Sequence, residues 1–340
     1  MKKTIKLCTS VLLSLAFLVG CASTSKNQED NNQGSNTLEA TEKIDINIGS
    51  LKGPTTMGMV KLIEDSENGE TDNNYVVSMT GTADEIVTSM VKGDLDIATV
   101  PCNLASVLYN KMDGQISLAA INTLGVLYMV ENGDSINSIQ DLKGKTIYST
   151  GKGTTPEYIL NYILAENGIE IDKDITVEYK SEATEVAAIL AEEEDAIAML
   201  PQPFVTTAQG KNNNLRIALN MTEEWDKVQG DSGSALVTGV VIVRNEFIEN
   251  NKDAFNKFLK DYKASTEYIN SNITEAATLV EKYGIVPAAI AEKAIPFCNI
   301  AFIDGSEMKE KVEGYLKVLF DQDPASVGGK LPESDFYYNK

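Results

Sequence analysis

Apolar and polar positions alternate in short blocks along this chain, and one arrangement of blocks occurs twice. Residues 44–48 form a β-like run that leads into Lys52-Gly53-Pro54-Thr55-Thr56 and then into an apolar-periodic helix. Residues 146–148 form a similar run, which leads into Lys152-Gly153-Thr154-Thr155 and another periodic helix. A strand, a glycine-containing turn and a helix in this order indicate a βα unit at both places.

The correspondence between the two stretches continues in register. Thr82-Ala83-Asp84-Glu85-Ile86 matches Glu182-Ala183-Thr184-Glu185-Val186, and the strand and proline of residues 96–101 match those of residues 196–201. Glycine, threonine and proline are common turn and cap residues, so unrelated strand–loop–helix units can also look alike. The common offset of loop, helix, strand and proline favours two related βαβαβ units, and therefore an α/β fold with two similar lobes.

Helical periodicity dominates the last third of the chain. Phe255, Phe258, Leu259 and Tyr262 recur at helical spacing, which predicts amphipathic helices with one face in a core. An apolar run at residues 239–243 precedes these helices. We therefore expect them to return to the first lobe and complete it.

The N-terminus has the pattern of a bacterial lipoprotein leader. Met1-Lys2-Lys3 is basic, residues 11–19 are apolar, and Leu18-Val19-Gly20-Cys21 is a small-residue cleavage pattern that ends in cysteine. We predict a signal peptide at 1–20, lipid on Cys21 and a disordered, polar tether over 21–43. The alternative is an ordinary secretory signal with an incidental cysteine.

Composition excludes several classes of function. The 340 residues carry a formal net charge of −21, which opposes binding to nucleic acid and to anionic lipid. The chain has no histidine, so Ser-His-Asp and Cys-His catalytic sites and His-ligated zinc are excluded. Beyond the leader and the anchor only Cys102 and Cys298 remain, either as a disulfide or as two small buried residues. Without metal-ligand spacing or a nucleotide motif, we expect neither a metal nor a cofactor.

The candidate ligand-binding residues lie where predicted strands end and helices begin. At such positions free N–H groups and short polar side chains can hold a polar ligand, and in open α/β sheets they gather at the carboxyl ends of the strands. For each loop alone, helix capping without ligand contact is the simpler interpretation. The candidates are Gly53, Pro54, Thr55, Thr56, Thr80, Thr82, Asn103, Thr123, Gly153, Thr154, Thr155, Gln202, Phe204 and Trp225.

Trp225, the only tryptophan, lies in a polar segment, where a large apolar ring needs an explanation. Two explanations remain open: the ring stacks on a ligand or closes the rim of the cleft, or it packs against its own lobe.

Taken together, the motifs resemble a known family, the solute-binding lipoproteins of ABC transporters in the nitrate/sulfonate/taurine and thiamine-precursor branch. The resemblance extends over the whole mature body. It rests on Gly53-Pro54-Thr55-Thr56-Met57-Gly58, Asp94-Leu95-Asp96-Ile97-Ala98, residues 141–146, Gly153-Thr154-Thr155-Pro156-Glu157 and residues 198–203.

The resemblance implies a periplasmic-binding-protein fold of type II. Each lobe would be a mixed, mainly parallel sheet flanked by helices, and two crossings near residues 122–126 and 238–243 would join the lobes. The implied first lobe comprises 44–122 plus 244–335, and the implied second lobe comprises 123–243. The implied partners are a small solute and an ABC permease and ATPase encoded elsewhere, with a monomeric chain attached to the outer face of the cytoplasmic membrane only by its lipid.

Similar proteins of this branch bind oxyanions, sulfonates or neutral heterocycles, so the solute does not follow from the resemblance. The mostly uncharged candidates favour a small heterocycle, with a sulfonate or oxyanion as the alternative. Other functions also stay open: a sensing or adhesion lipoprotein without a transporter, or an enzyme of the pyrimidine- or menaquinone-precursor type. Because an acid–base pair and histidine are missing, we expect no enzyme.

Overall fold

The computed structural model describes residues 43–230 and 234–339. The predicted signal peptide, Cys21 and nearly all of the predicted tether lie outside the described residues. In the described part of the chain, no helix is both long enough and apolar enough to cross a membrane.

The described residues form eleven strands and thirteen α-helices, with short 3-10 turns between some of them. The strands are β1 (Asp45–Leu51), β2 (Asn74–Thr80), β3 (Ile97–Pro101), β4 (Ile116–Leu124), β5 (Leu127–Asn132), β6 (Thr146–Thr150), β7 (Thr176–Lys180), β8 (Ile197–Pro201), β9 (Leu215–Asn220), β10 (Val237–Arg244) and β11 (Ile300–Ile303). The helices are α1 (Pro54–Met57), α2 (Val60–Glu67), α3 (Ala83–Lys92), α4 (Cys102–Lys111), α5 (Thr155–Glu166), α6 (Ala183–Glu192), α7 (Phe204–Lys211), α8 (Met221–Gln229), α9 (Asn245–Asn250), α10 (Lys252–Ser271), α11 (Ile273–Lys282), α12 (Ala288–Ala294) and α13 (Gly305–Gln322).

Two mixed sheets organise these elements, and their central parts are built alike. The first sheet has the order β11-β4-β10-β3-β1-β2, and the second has the order β7-β6-β8-β5-β9. In each sheet three parallel strands from a βαβαβ unit lie beside one antiparallel strand, which is β10 in the first sheet and β5 in the second. This confirms the predicted α/β fold with two similar lobes. We call each sheet with its helices the first and the second lobe.

Local sequence explains why these elements form. In α3 the buried positions Ile86 and Met90 lie one turn apart, and Gly93 ends the helix in the left-handed conformation with φ of 84°. Glycine suits that position because a Cβ there is strained. In β4 eight of nine positions are buried, as expected for a strand covered on both faces.

The crossings between the lobes differ in part from those that the resemblance implies. The first runs from β4 to β5 through Gly125 and Val126, within the expected stretch. Residues 238–243, expected at the second crossing and within the second lobe, instead lie in β10 of the first sheet, where β3 and β4 pair with both edges of the strand. A run of valine and isoleucine that is apolar on both faces is typical of a central strand, so the chain returns to the first sheet by Val237.

The C-terminal helices pack on the first lobe. In α10, Phe255, Phe258 and Tyr262 share one core cluster with Ile46 and Ile48 of β1. The apolar stripe that the spacing predicts is thus buried against the first sheet.

Cys102 and Cys298 are free thiols, and both are buried. Of the two alternatives left open by the sequence, the structure shows two small buried residues. Burial raises the pKa of the Cys298 thiol to about 12 and raises that of Cys102 as well, so both stay protonated.

Candidate functional site

The first glycine loop is fastened to the strand before it. Gly53 has φ of 145° and ψ of −155°, and Pro54 opens α1 directly after it. Thr55 Oγ1 donates a 2.9 Å hydrogen bond to the Leu51 carbonyl, and Thr56 Oγ1 donates to the same oxygen. Both threonines are buried, and their hydroxyls hold the loop against the end of β1.

The end of β2 lies beside this loop. The Lys52 amide donates a 2.9 Å hydrogen bond to the Thr80 carbonyl. Thr80 Oγ1 in turn donates a 2.7 Å bond to the carbonyl of Thr82, whose side chain is exposed and caps no helix. Thr80 therefore stabilises its own turn, whereas Thr82 has a free hydroxyl at the surface.

The structure brings two of the predicted helix starts together across the lobes. Thr155, the first residue of α5, donates from Oγ1 a 3.0 Å hydrogen bond to Oδ1 of Asn103 at the start of α4. Asn103 also donates from Nδ2 to the Ser326 carbonyl at 3.2 Å. Both side chains are buried. The carboxyl ends of β3 and β6 thus face each other, as ligand-binding α/β lobes require.

The neighbours of Thr155 are less enclosed. Gly153 and Thr154 are exposed. Thr154 Oγ1 donates a 2.7 Å hydrogen bond to the Gly151 carbonyl, and the Gly153 amide donates to a carboxylate oxygen of Glu157. Gly153 and Thr154 thus bond only within the loop and the first turn of α5. Thr155 is the residue of this loop that is buried and contacts the other lobe.

Gln202 lies at the end of β8, next to the first crossing. Its backbone amide donates a 3.0 Å hydrogen bond to the Val126 carbonyl. The side chain is buried, and Oε1 accepts a 2.9 Å hydrogen bond from Thr206 Oγ1, while Nε2 has no hydrogen-bond partner among the described residues. Phe204, two residues later, is half-buried against the core of its own lobe.

Trp225 is fully buried. Its ring lies 5.0 Å from that of Tyr162 on α5 and 5.6 Å from that of Tyr315 on α13, measured between centroids. Tyr162 belongs to the second lobe, and α13 packs on β4 and β10 of the first lobe. The tryptophan therefore packs against its own lobe through Tyr162, as the second explanation from sequence has it, and it also packs against α13 of the first lobe through Tyr315.

A second group of polar residues lies at the end of β4, and sequence reasoning predicted only Thr123 among them and missed Asn122 and Thr238. Asn122 is 1% exposed, and neither of its amide atoms makes a hydrogen bond among the described residues. The hydroxyl of the predicted site residue Thr123 is also buried without a partner, as is that of Thr238 on β10. The signal was present: Asn122 and Thr123 directly follow the apolar run of 118–121.

The missed group adjoins the first glycine loop. A Cβ on Gly239 of β10 would lie 2.5 Å from Asn122 Oδ1 and 2.7 Å from Thr55 Cγ2. The Tyr262 hydroxyl donates a long, 3.4 Å hydrogen bond to the Thr55 carbonyl. Burial raises the pKa of Tyr262, and the nearby Asn122 amide partly opposes that rise. The Asn122 amide and the Tyr262 hydroxyl are close, but their geometry falls short of a hydrogen bond. We call Thr55, Asn122, Gly239 and Tyr262 the asparagine corner.

Both arginines of the chain are bound elsewhere. Arg216 donates to the Glu131 carboxylate and to the carbonyls of Gly133 and Ile136. Arg244 donates to the Gly93 carbonyl and to Glu246. The side chains of the asparagine corner, together with Thr123, Thr155 and Gln202, are uncharged. The site therefore offers neutral donors and acceptors.

The comparisons with known proteins agree with this architecture. Residues 111–276 match the family model described as NMT1/THI5 like. An ABC transporter protein from Parabacteroides distasonis superposes with a TM-score of 0.74 at 25% identity, over 88% of this chain and 100% of that chain. No curated protein sequence matches the chain.

Two further solved structures share the fold at lower identity. The periplasmic aliphatic sulphonate binding protein SsuA from Escherichia coli has a TM-score of 0.66 at 13% identity, over 87% of this chain and 94% of that one. The ligand binding component of an ABC-type import system from Staphylococcus aureus, solved with zinc bound, has a TM-score of 0.64 at 15% identity, over 87% and 97%. The matched residues 111–276 include the whole second sheet and β10. The chain therefore carries an NMT1/THI5-like domain on the fold of the periplasmic binding proteins.

Proposed function

We propose that this chain is the solute-binding component of an ABC importer and works on the outer side of the cytoplasmic membrane. It captures a small molecule between its lobes and delivers it to a permease and an ATPase encoded elsewhere. The observation that carries the proposal is the hydrogen bond between Thr155 and Asn103, since it joins the helix starts of two lobes at the carboxyl ends of their sheets.

The mechanism follows from the two-lobe construction. The solute enters between separated lobes and binds the loops of the first lobe at Gly53 and Asn103. The second lobe then closes and brings Thr155 and Gln202 to the solute. Closure is a shift in population that is driven by contacts present only in the closed form, and this form docks on the permease.

We propose a small neutral heterocycle as the solute. A sulfonate or other oxyanion is usually held by cationic side chains or by several backbone N–H groups. Both arginines are committed to other partners, and the buried polar groups of the site are amides and hydroxyls. Such groups match the donors and acceptors along the edge of a heterocycle.

The location rests on the leader sequence. Cys21 follows a small-residue cleavage pattern, and we propose that it carries the lipid that attaches an otherwise water-exposed, monomeric body to the membrane. A Cys21→Ala change should release the protein into the culture medium or the periplasm and abolish incorporation of a labelled fatty acid. Retention of the label would show that the lipid is elsewhere.

Two other functions compete with this proposal. A sensing or adhesion lipoprotein would share the fold but would not depend on a transporter. An enzyme of the pyrimidine- or menaquinone-precursor type would need a poised acid–base pair, for which the uncharged site gives no support.

A thermal-unfolding experiment on the full chain in mild detergent tests the solute role. Neutral heterocycles, sulfonates, inorganic oxyanions and amino acids are compared. A ligand at a hundred times its Kd adds about 2.7 kcal/mol of stability, so the midpoint should rise by a few degrees. Uptake of the stabilising compound by cells with and without this gene then separates import from sensing, because a sensor would bind the compound but leave its uptake unchanged.

A further inference from the structure

We infer that Asn122 is the residue that selects the solute, and that it does so by pairing its side-chain amide with an edge that carries one hydrogen-bond donor beside one acceptor. This inference rests on the proposed function and names the chemistry that the same site recognises.

The first argument is the state of the Asn122 amide. The residue is 1% exposed, yet neither Oδ1 nor Nδ2 makes a hydrogen bond among the described residues. A buried polar group without a partner costs about 1–3 kcal/mol, and native proteins contain few of them. Among the described residues, Asn122 is the only one with two buried side-chain atoms in this state, and its place at the carboxyl end of a strand points to a partner outside the chain.

The second argument is the shape around the amide. Gly239 lies opposite on β10, and a Cβ there would come within 2.5 Å of Asn122 Oδ1. Thr55 borders the same point from the first glycine loop, one of the loops that the sequence predicts to hold ligand. Because Gly239 has no side chain, the Asn122 side chain can lie between β10 and that loop.

The third argument is the chemistry of the surrounding groups. Tyr262 is a neutral phenol at physiological pH, and burial raises its pKa further. The hydroxyl of Thr123, the next residue after Asn122 on β4, lacks a partner among the described residues. A carboxamide can donate from its nitrogen and accept at its oxygen in one plane, which is how asparagine reads the edge of a nucleobase. The corresponding solute edge is a lactam or an amino group beside a ring nitrogen, whereas a sulfonate offers acceptors only.

The test compares two variants of the full chain in mild detergent. Asn122→Leu has nearly the same volume and removes both amide atoms. Asn73→Leu is the matched control, since Asn73 is also buried but donates hydrogen bonds of 3.1 Å to the Tyr75 hydroxyl and 3.0 Å to the Ala254 carbonyl. The probes are uracil and cytosine, 1,3-dimethyluracil without N–H donors, and taurine and ethanesulfonate.

We expect the unchanged protein to bind uracil or cytosine and to reject 1,3-dimethyluracil and the sulfonates. Asn122→Leu should weaken that binding at least tenfold while its ligand-free unfolding midpoint stays the same or rises. Asn73→Leu should do the opposite, with a lower midpoint and an unchanged Kd.

Several results would overturn the inference. One is equal affinity of the Asn122→Leu variant, and another is a fall in its midpoint as large as that of Asn73→Leu, which would make Asn122 a structural residue. Binding of sulfonates alone, or of 1,3-dimethyluracil as tightly as uracil, would refute the donor–acceptor edge while leaving the proposed import role intact. Failure of every probe to bind would overturn the edge, whereas the wider panel used for the proposed function decides the solute role.

Discussion

Thr155 and Asn103 lie 52 residues apart in the chain and share a 3.0 Å hydrogen bond that joins the start of one lobe's helix to the start of the other's. A buried side-chain hydrogen bond contributes about 1 kcal/mol, which changes a two-state equilibrium by about fivefold. The bond therefore has the right size to bias the lobes toward closure without fixing them there.

Thr155→Val should shift the ligand-free protein toward an open form, because valine keeps the shape of threonine but cannot donate. We expect a larger radius of gyration by small-angle X-ray scattering and a severalfold weaker Kd for the solute. Thr154→Val is the matched control, since Thr154 is exposed and bonds only within its own loop. An identical scattering profile for the Thr155 variant would show that this bond does not hold the lobes.

Gly239→Ala should impair solute binding more than its single added methyl suggests. The new Cβ would lie 2.5 Å from Asn122 Oδ1 and 2.7 Å from Thr55 Cγ2, so both residues must move. We expect a loss of about 1–3 kcal/mol in the free energy of unfolding, measured by urea titration, together with a loss of affinity. Gly210→Ala serves as the control, because its Cβ would meet only Ile290 at an ordinary 3.6 Å. Since Gly210 lies within α7, alanine there should raise stability by up to about 1 kcal/mol and leave the affinity unchanged.

Arg216→Met should lower stability in a pH-dependent way. Burial alone would raise the pKa of Glu131, but hydrogen bonds from Ser135 and Ile136 and the charge of Arg216 outweigh it and hold that pKa below its usual value. A lowered carboxyl pKa contributes stability above the unfolded-state pKa of about 4.3, and this contribution is lost as pH falls through the folded-state pKa. At neutral pH we expect the variant to lose about 1.5–3 kcal/mol.

Urea titrations at several pH values check this expectation: the difference between wild type and Arg216→Met should shrink as the pH falls below about 4. Arg244→Met is the comparison, because its carboxylate partner Glu246 is exposed, and such pairs contribute at most about 1 kcal/mol. If the loss of stability in Arg216→Met is the same at every pH, the effect comes from the lost hydrogen bonds to the Gly133 and Ile136 carbonyls and not from Glu131.

Trp225→Ala should destabilise the whole protein and not only the solute complex. Removing a fully buried ring that contacts Tyr162 and Tyr315 costs about 3–5 kcal/mol. Unfolding followed by circular dichroism measures it, with Leu331→Ala, at a 36% exposed residue, as the control. In the unchanged protein the sole tryptophan provides a direct signal, because separation of α5 and α8 from α13 would expose it and shift its emission to longer wavelength. Unchanged stability of Trp225→Ala would contradict the interlobe packing.

The helix-start loops could be found from sequence because their signals are local. Glycine with a positive φ, proline in the first helical turn and threonine next to it act within a few residues, as Gly53, Pro54 and Thr55 show. Asn122 could not be selected in the same way. It lies inside a strand, and only the folded sheet shows that β10 and the Gly53 loop leave its amide without a hydrogen bond.

Two other differences have the same origin. The apolar run of residues 239–243 predicts a buried strand, but its pattern does not say which sheet receives it, since partner strands are chosen by contacts distant in sequence. Trp225 likewise needs Tyr315, ninety positions further on, before its burial between the lobes is evident.

The position of β10 also limits what the earlier part of the chain can form by itself. Every strand of the second sheet comes from one continuous stretch, residues 127–220, whereas β10 lies between β3 and β4 of the first sheet and is made only at residues 237–244. Residues up to 236 thus contain every strand of the second sheet, whereas the first sheet still lacks the strand between β3 and β4. The asparagine corner, which needs Gly239 and Tyr262, therefore cannot form from the residues that precede β10.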